Sequence, residues 1–180
     1  MSEWITGSTP YLAPRASGER DAWALEAEAA GFVGRHRLTL VDRLPAPEPV
    51  AARLGIDGGS LAVVRRRVVT ADERPVEIAD SWYPLAIAEG TALVKDKPIR
   101  GGALRLLEEL GYTATRHVED IAVVDPSADA AEVLGASTVL ELIRTSYTAA
   151  DEPFEVAVML MSREITPGVV RRLRYELRSV

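Results

Sequence analysis

Three consecutive arginines, Arg65, Arg66 and Arg67, interrupt a run, VVRRRVVT (63–70), that otherwise reads as an apolar strand. Side chains alternate across a strand, so Val63, Arg65, Arg67 and Val69 share one face and Val64, Arg66, Val68 and Thr70 the other. Valines flank the charges on both faces, and burying an unpaired guanidinium is costly. Arg65 and Arg67 therefore need acidic side chains, a ligand anion or open solvent. Cross-strand pairing with Glu77 or Asp80 is the plain solution, worth about 0–1 kcal/mol at an exposed surface. The sharper one is an anion site, because two guanidiniums on one side of a rigid strand grip a carboxylate or phosphate bidentately.

Other groups bear on the same chemistry. Arg100, Gly101 and Gly102 precede a leucine-rich helix, where free N–H groups and the guanidinium can hold a carboxylate, or they form a plain tight turn. Met159 and Met161 share a face of a late strand and suit either an adaptable cavity wall or core filling. His36 and His117 recur in matched contexts, which points to repeated architecture, and neither lies in an H-E-x-x-H metal motif. Glu119 and Asp120 fall on opposite faces of a strand and do not act together. There is no G-x-S-x-G nucleophile elbow in a strand–turn–helix context and no phosphate loop. No metal or cofactor site is expected.

The elements that position these residues come in two series. DAWALEAEAAG (21–31), with Asp21 as N-cap, and GGALRLLEELG (101–111) read as helices. RHRLTLVDRL (35–44) and TRHVEDIAVVD (115–125) read as strands, PEPVAARLG (47–55) and PSADAAEVLG (126–135) as short helices. The hairpins are 60–70 with 74–84 and 138–148 with 153–162, and 169–180 reads as a closing strand. Gly31 and Gly111, like Gly55 and Gly135, lie eighty residues apart, and ADERPVE (71–77) returns as ADEPFE (150–155). On this spacing Arg144 takes the place of Arg65, with Tyr147 on the opposite face, and Glu155 mirrors Glu77. Two related halves sharing one sheet or barrel-like core, about a pseudo-dyad, are expected.

Composition narrows the function classes. The 180 residues are 47% hydrophobic and 27% charged, which suits one globular domain. No cysteine is present, so disulfides, thiolate metal sites and thiol nucleophiles are excluded. The net charge of −6, with no basic stripe, argues against direct nucleic-acid contact. No apolar run spans a membrane, and the start has no signal-peptide core, so a cytoplasmic protein is expected. Residues 1–20, with Pro10, Pro14, Gly7 and Gly18, read as an extended interdomain-type lead-in, and residues 21–180 as the folded domain.

ARLGIDGGSLAVVRRRVVTADERPVEIADSWYP resembles the opening of the UTRA domain, the effector-binding half of GntR-type transcriptional regulators of the HutC subfamily. GGALRLLEELGYTATRHVEDIAVVDPSADAAEVLG and TVLELIRTSYTAADEPFEVAVMLMSREI are similar to that family's central helix and last hairpin, so the likeness covers about residues 35 to 178. The resemblance implies an α+β, chorismate lyase-like fold, a mostly antiparallel sheet with helices. It also implies a small-molecule effector sensed within the domain, relayed to a winged-helix domain that this chain lacks, and a homodimer formed through sheet edges or the C-terminal strand.

By the same resemblance Arg67 holds the position of the arginine that opens the family's R.R..dg.P pattern and contacts the anionic group of the effector. Its second arginine falls on Val69, an acidic position on Ala79 and a small hydroxyl position on Ala103. These departures count against a sugar-phosphate effector and favour a carboxylate-bearing or aromatic one, with Asp80, Ser81, Trp82 and Tyr83 lining a more aromatic site. Arg65, Arg100, Gly101, Gly102, Glu119, Arg144, Tyr147, Glu155, Met159 and Met161 complete the candidate site. The alternative is a free-standing chorismate lyase-like enzyme that holds a small anionic substrate through Arg67, Arg65 or Glu119.

Overall fold

The computed structural model describes the backbone of residues 2–12 and 19–176, and side chains from residue 4 onward. Residues 13–18 of the lead-in and 177–180 of the predicted closing strand lie outside the described residues. Asp21 accepts a hydrogen bond from the backbone N–H of Ala24 at 2.9 Å and so caps α1 (Ala22–Ala29). Strand β2 (Gly34–Pro45), helix α2 (Glu48–Leu54) and the hairpin β3 (Leu61–Ala71) and β4 (Arg74–Pro84) complete the first half. A short helix α3 (Leu85–Ala88) and a 3-10 turn at 92–94, neither visible in the sequence pattern, lead to the second half. That half repeats the series: α4 (Gly102–Glu109), β5 (Arg116–Val124), α5 (Ala128–Leu134), β6 (Val139–Tyr147) and β7 (Pro153–Met161). Gly55 and Gly135 end α2 and α5 in the same left-handed conformation, at φ 65° and 60°.

The six long strands form one antiparallel sheet in the order β2-β3-β4-β7-β6-β5. This order reads the same from either edge once the halves are exchanged. Across the central seam Ala79 faces Met159 and Ser81 faces Ala157, so exchanging each residue for the one 78 positions away returns the same pairing. Register shifts recur too, between Val69 and Thr70 and between Ser146 and Tyr147. The sheet is thus a two-fold structure with its pseudo-axis between β4 and β7.

One face of the sheet packs on α2 and α5, where Val50, Ala51 and Leu54 meet Val64, Trp82 and Val156, and Ala130 and Leu134 meet Ile78 and Val139. The other face is closed at its two ends by α1 and α4. Around α1, Trp4 stacks on Trp23 at 5.3 Å, with Val69, Val76 and Ile165 beneath. Gly34 is required there, because a Cβ would lie 2.6 Å from the Cβ of Ala27 and 2.9 Å from the ring of Trp23. Around α4, Leu107 packs with Leu93, Tyr83 and Phe154.

A second, three-stranded sheet runs across this face: β1 (Ser2–Thr6) pairs parallel with β9 (Val169–Leu173), which pairs with β8 (Glu164–Thr166). The lead-in is therefore extended at 2–6 but is part of a sheet, and Trp4 within it is buried. Glu26 on α1 fastens this segment by accepting hydrogen bonds from Trp4 Nε1, Thr6 Oγ1 at 2.9 Å and Tyr11 Oη at 2.8 Å. Burial and that carboxylate push the Tyr11 hydroxyl pKa far up, so it remains a donor.

Candidate functional site

Between the sheet and its cover lies a cavity of about 200 Å³. Its floor is the face of β3 that carries Arg67 and Val69, together with Ala79, Ser81 and Tyr83 of β4, Glu155, Ala157, Met159 and Met161 of β7, and Leu142, Arg144 and Ser146 of β6. Gly101 and Gly102 close one side and the Thr6–Leu12 segment another. Gly101 takes φ 80°, a conformation that L side chains rarely adopt, so that wall favours glycine.

Cross-strand rows organise the polar groups. In the second half one row runs His117, Ser146, Glu155 over β5, β6 and β7. Its two-fold counterpart in the first half runs His36, Val69, Glu77 over β2, β3 and β4. Two residues along each strand, Arg144 lies between Glu119 and Ala157, and its counterpart Arg67 between Leu38 and Ala79. The sequence spacing equates Arg144 with Arg65, but the sheet register equates it with Arg67. The loop from α5 to β6, residues 135–138, is shorter by two than its counterpart, residues 55–60. A slip of two leaves the face unchanged while moving the residue one row along.

The three arginines of the strand have three different fates. Arg65 is buried, and its guanidinium donates to the backbone carbonyls of Leu93 at 2.7 Å, Lys95 at 2.9 Å and Lys97 at 2.9 Å. It satisfies the irregular chain after α3, a partner that acidic side chains, ligand or solvent did not anticipate. Arg66, on the opposite face, makes a bidentate pair with Asp80 at 2.7 and 2.6 Å. Arg67 lines the cavity and has no hydrogen bond or ion pair with any described residue.

The other cavity cations are already paired. Arg144 donates to Glu119 at 2.6 Å, and Ser8 donates to the same carboxylate at 2.9 Å. Burial works against the Glu119 charge, but Arg144, Ser8 and Tyr175 outweigh it and hold the carboxyl below its ordinary range. Arg171 of β9, with a side chain only 3% exposed, donates to Glu77 at 2.8 Å and to the Val76 carbonyl at 3.1 Å. At the other end Tyr83 Oη donates to Glu155 at 2.8 Å, Ser146 Oγ donates to its second oxygen at 3.4 Å, and His117 Nδ1 lies 3.1 Å from Ser146 Oγ. Burial, then Glu155, raises the pKa of Tyr83, keeping its hydroxyl protonated.

Of the sequence candidates, Arg67, Ser81, Tyr83, Gly101, Gly102, Arg144, Glu155, Met159 and Met161 come together around the cavity. Asp80 and Trp82 do not, because alternation turns them to the α2 and α5 face, where Asp80 holds Arg66 and Trp82 enters the core. Arg65 faces the cavity side but is anchored to carbonyls, and Arg100 lies outside the lining. Glu119 stands behind Arg144, and Tyr147 lies under the guanidinium of Arg116 at 3.8 Å. His36, His117, Ser146 and Arg171 line the cavity and were not among the candidates. The mirrored RH pairs were a signal for the histidines. Nothing local signals Arg171, whose partner Glu77 is 94 residues away.

The UTRA domain profile matches residues 29–164. The chain belongs to the UTRA domain family. An uncharacterized HTH-type transcriptional regulator of Streptomyces coelicolor is 30% identical over 149 residues, covering 78% of this chain and 55% of that protein. A second, YurK of Bacillus subtilis, is 24% identical over 140 residues, 74% of this chain and 56% of that protein. The chain thus spans little more than half the length of these relatives. Among solved structures, a ligand-binding domain from a GntR-family regulator of Bordetella bronchiseptica superposes with a TM-score of 0.65 at 25% identity, over 92% of this chain and 96% of that one. The effector domain of PhnF from Mycobacterium smegmatis shares the fold at TM-score 0.66 and 23% identity, over 87% of this chain and 95% of that one. The expected α+β architecture, a mostly antiparallel sheet built from two repeated halves, is that of this UTRA domain. No helix among the described residues is long and apolar enough to cross a membrane.

Proposed function

We propose that this UTRA domain is the effector-sensing part of a GntR-type transcriptional regulator, and that its effector is a small organic anion whose acidic group is held by Arg67. The observation that carries the reading is a half-buried guanidinium on the cavity wall without a counter-ion among the described residues. Desolvating a cation without a partner is unfavourable, and an anion entering the cavity removes that penalty. The remaining wall, with Met159, Met161, Leu142, Val69 and Ala79, suits an apolar body attached to the acidic group.

The same reading includes a DNA-binding domain elsewhere in the regulator, a homodimer, a cytoplasmic setting and no direct contact between this acidic chain and nucleic acid. It also supplies a route out of the cavity, since the Thr6–Leu12 segment is a wall of it and hangs from Glu26 and Glu119.

The test is native mass spectrometry of the purified chain to identify co-purifying small molecules, followed by thermal-shift titration of wild type and Arg67→Gln with the acids found. Loss of the ligand-induced shift, with the ligand-free melting temperature kept, is expected. Unchanged affinity in the variant would remove Arg67 from the site. Co-purification of neutral or cationic compounds alone would overturn the anion assignment.

A further inference from the structure

The row His117–Ser146–Glu155–Tyr83 is a chain of polar contacts, and one direction makes every one of them a hydrogen bond. A carboxylate only accepts, so Tyr83 and Ser146 both donate to Glu155. The serine hydroxyl has a single proton, so both of its contacts are hydrogen bonds at once only when it donates to Glu155 and accepts from the imidazole. His117 must then donate from Nδ1, which leaves Nε2 with its lone pair. Nε2 has no hydrogen-bond partner among the described residues, on a ring that lines the cavity.

The carboxylates at the cavity are engaged: Glu155 accepts from Tyr83 and Ser146, Glu77 holds Arg171, Asp21 caps α1, and the carboxylate behind Arg144 is engaged by it and by Ser8. Among the groups that face a guest are the guanidinium of Arg67 and, on β5, an acceptor nitrogen with no partner among the described residues. We infer that His117 is the specificity-determining acceptor of this site: the Tyr83–Glu155–Ser146 relay holds it as the Nδ1–H tautomer, so the cavity selects anions that carry a hydroxyl or ammonium donor at the end away from the acidic group, toward β5. This rests on the anion-sensing reading above and names the ligand class within it.

The neutral ring is favoured by its surroundings. Burial and Arg144 on β6 lower its pKa from the ordinary 6.5, against Glu155 on β7 and Glu119 on its own strand, which raise it. Protonation turns Nε2 into a donor, so selection for donor-bearing anions is strongest above pH 6.5 and fades as the pH falls through the folded-state value.

Two measurements on the 180-residue chain test the inference. The chain has two histidines, so long-range 1H–15N spectra contain two ring systems, and His36→Gln assigns them. His117 is expected as the Nδ1–H tautomer without ligand, and Ser146→Ala should admit the Nε2–H form. An Nε2–H ring in the wild type overturns the relay. For the ligand class, 3-(4-hydroxyphenyl)propionate and 3-phenylpropionate differ by one hydroxyl at the end remote from the carboxylate, and the hydroxylated acid should bind about tenfold tighter. That preference should vanish in Ser146→Ala while Arg67→Gln weakens both acids. Equal affinity in the wild type overturns the selection. If neither acid binds, the anion reading fails and the selection with it, whereas the tautomer, read without ligand, is decided separately.

Discussion

The two halves of the sheet place an arginine at the same point and treat it in opposite ways. Arg144 has Glu119 as its neighbour on the edge strand, and Arg67 has Leu38. One row away, Ser146 links His117 to Glu155, while its counterpart Val69 cannot link His36 to Glu77. Glu77 is instead held by Arg171 from the covering sheet, and the His36 ring lies 3.8 Å from Asp21. The second half carries a closed shell of polar groups, and at two of the matching positions the first half has Leu38 and Val69 instead, which leaves the shell open there. The second half pairs its arginine internally; the first leaves Arg67 on the cavity wall without a counter-ion among the described residues. Symmetry therefore marks the place where the first half lacks the partner that the second half has.

The largest effect is expected where the halves differ most in the core. Arg65 has Leu142 as its counterpart, and Arg65→Leu removes the donor to three carbonyls. A loss of at least about 3 kcal/mol is expected in urea unfolding, because each buried acceptor left unmet costs about 1–3 kcal/mol. Glu119→Leu copies the first half into the second by stripping Arg144 of its partner. Both side chains are nearly buried, at 11% and 12% exposure, so about 3 kcal/mol is expected from chemical denaturation.

The reverse exchange, Leu38→Glu, supplies Arg67 with an internal counter-ion. Folding should be little changed, while the affinity for 3-(4-hydroxyphenyl)propionate in calorimetry falls about tenfold or more as the carboxylates compete. Ser146→Val, the first half's residue, should cost about 1–2 kcal/mol by leaving Glu155 one donor short.

The smallest effect is a pH dependence confined to the second half. The pKa of His117 is lowered by burial and by Arg144, so the folded protein binds fewer protons there than the unfolded chain. That contribution is intact above the ordinary 6.5 and is lost as the pH falls through the folded-state value. Urea midpoints should drop over this range in the wild type and less so in His117→Gln.

Much of this was legible from residue order alone. Asp21 as a cap, the glycine terminators 80 residues apart, both hairpins and the pairing of Glu77 with Glu155 follow from local chemistry and repetition. The face of each strand was legible as well, which placed Arg67, Ser81, Tyr83, Met159 and Met161 on one side. Treating residues 80–83 as one lining failed for the same reason, since alternation admits only two of them. The role of the lead-in was not legible, because Ser8 reaches Glu119 across 111 positions with no pattern to announce it.

The sequence by itself determined the repeat, the caps and the strand faces, because these depend on neighbours within a few residues. Only the tertiary structure decided which guanidinium is available. A two-residue slip preserves the face of a strand but changes every cross-strand partner, and it is Leu38 beside Arg67, against Glu119 beside Arg144, that leaves one charge open to the cavity.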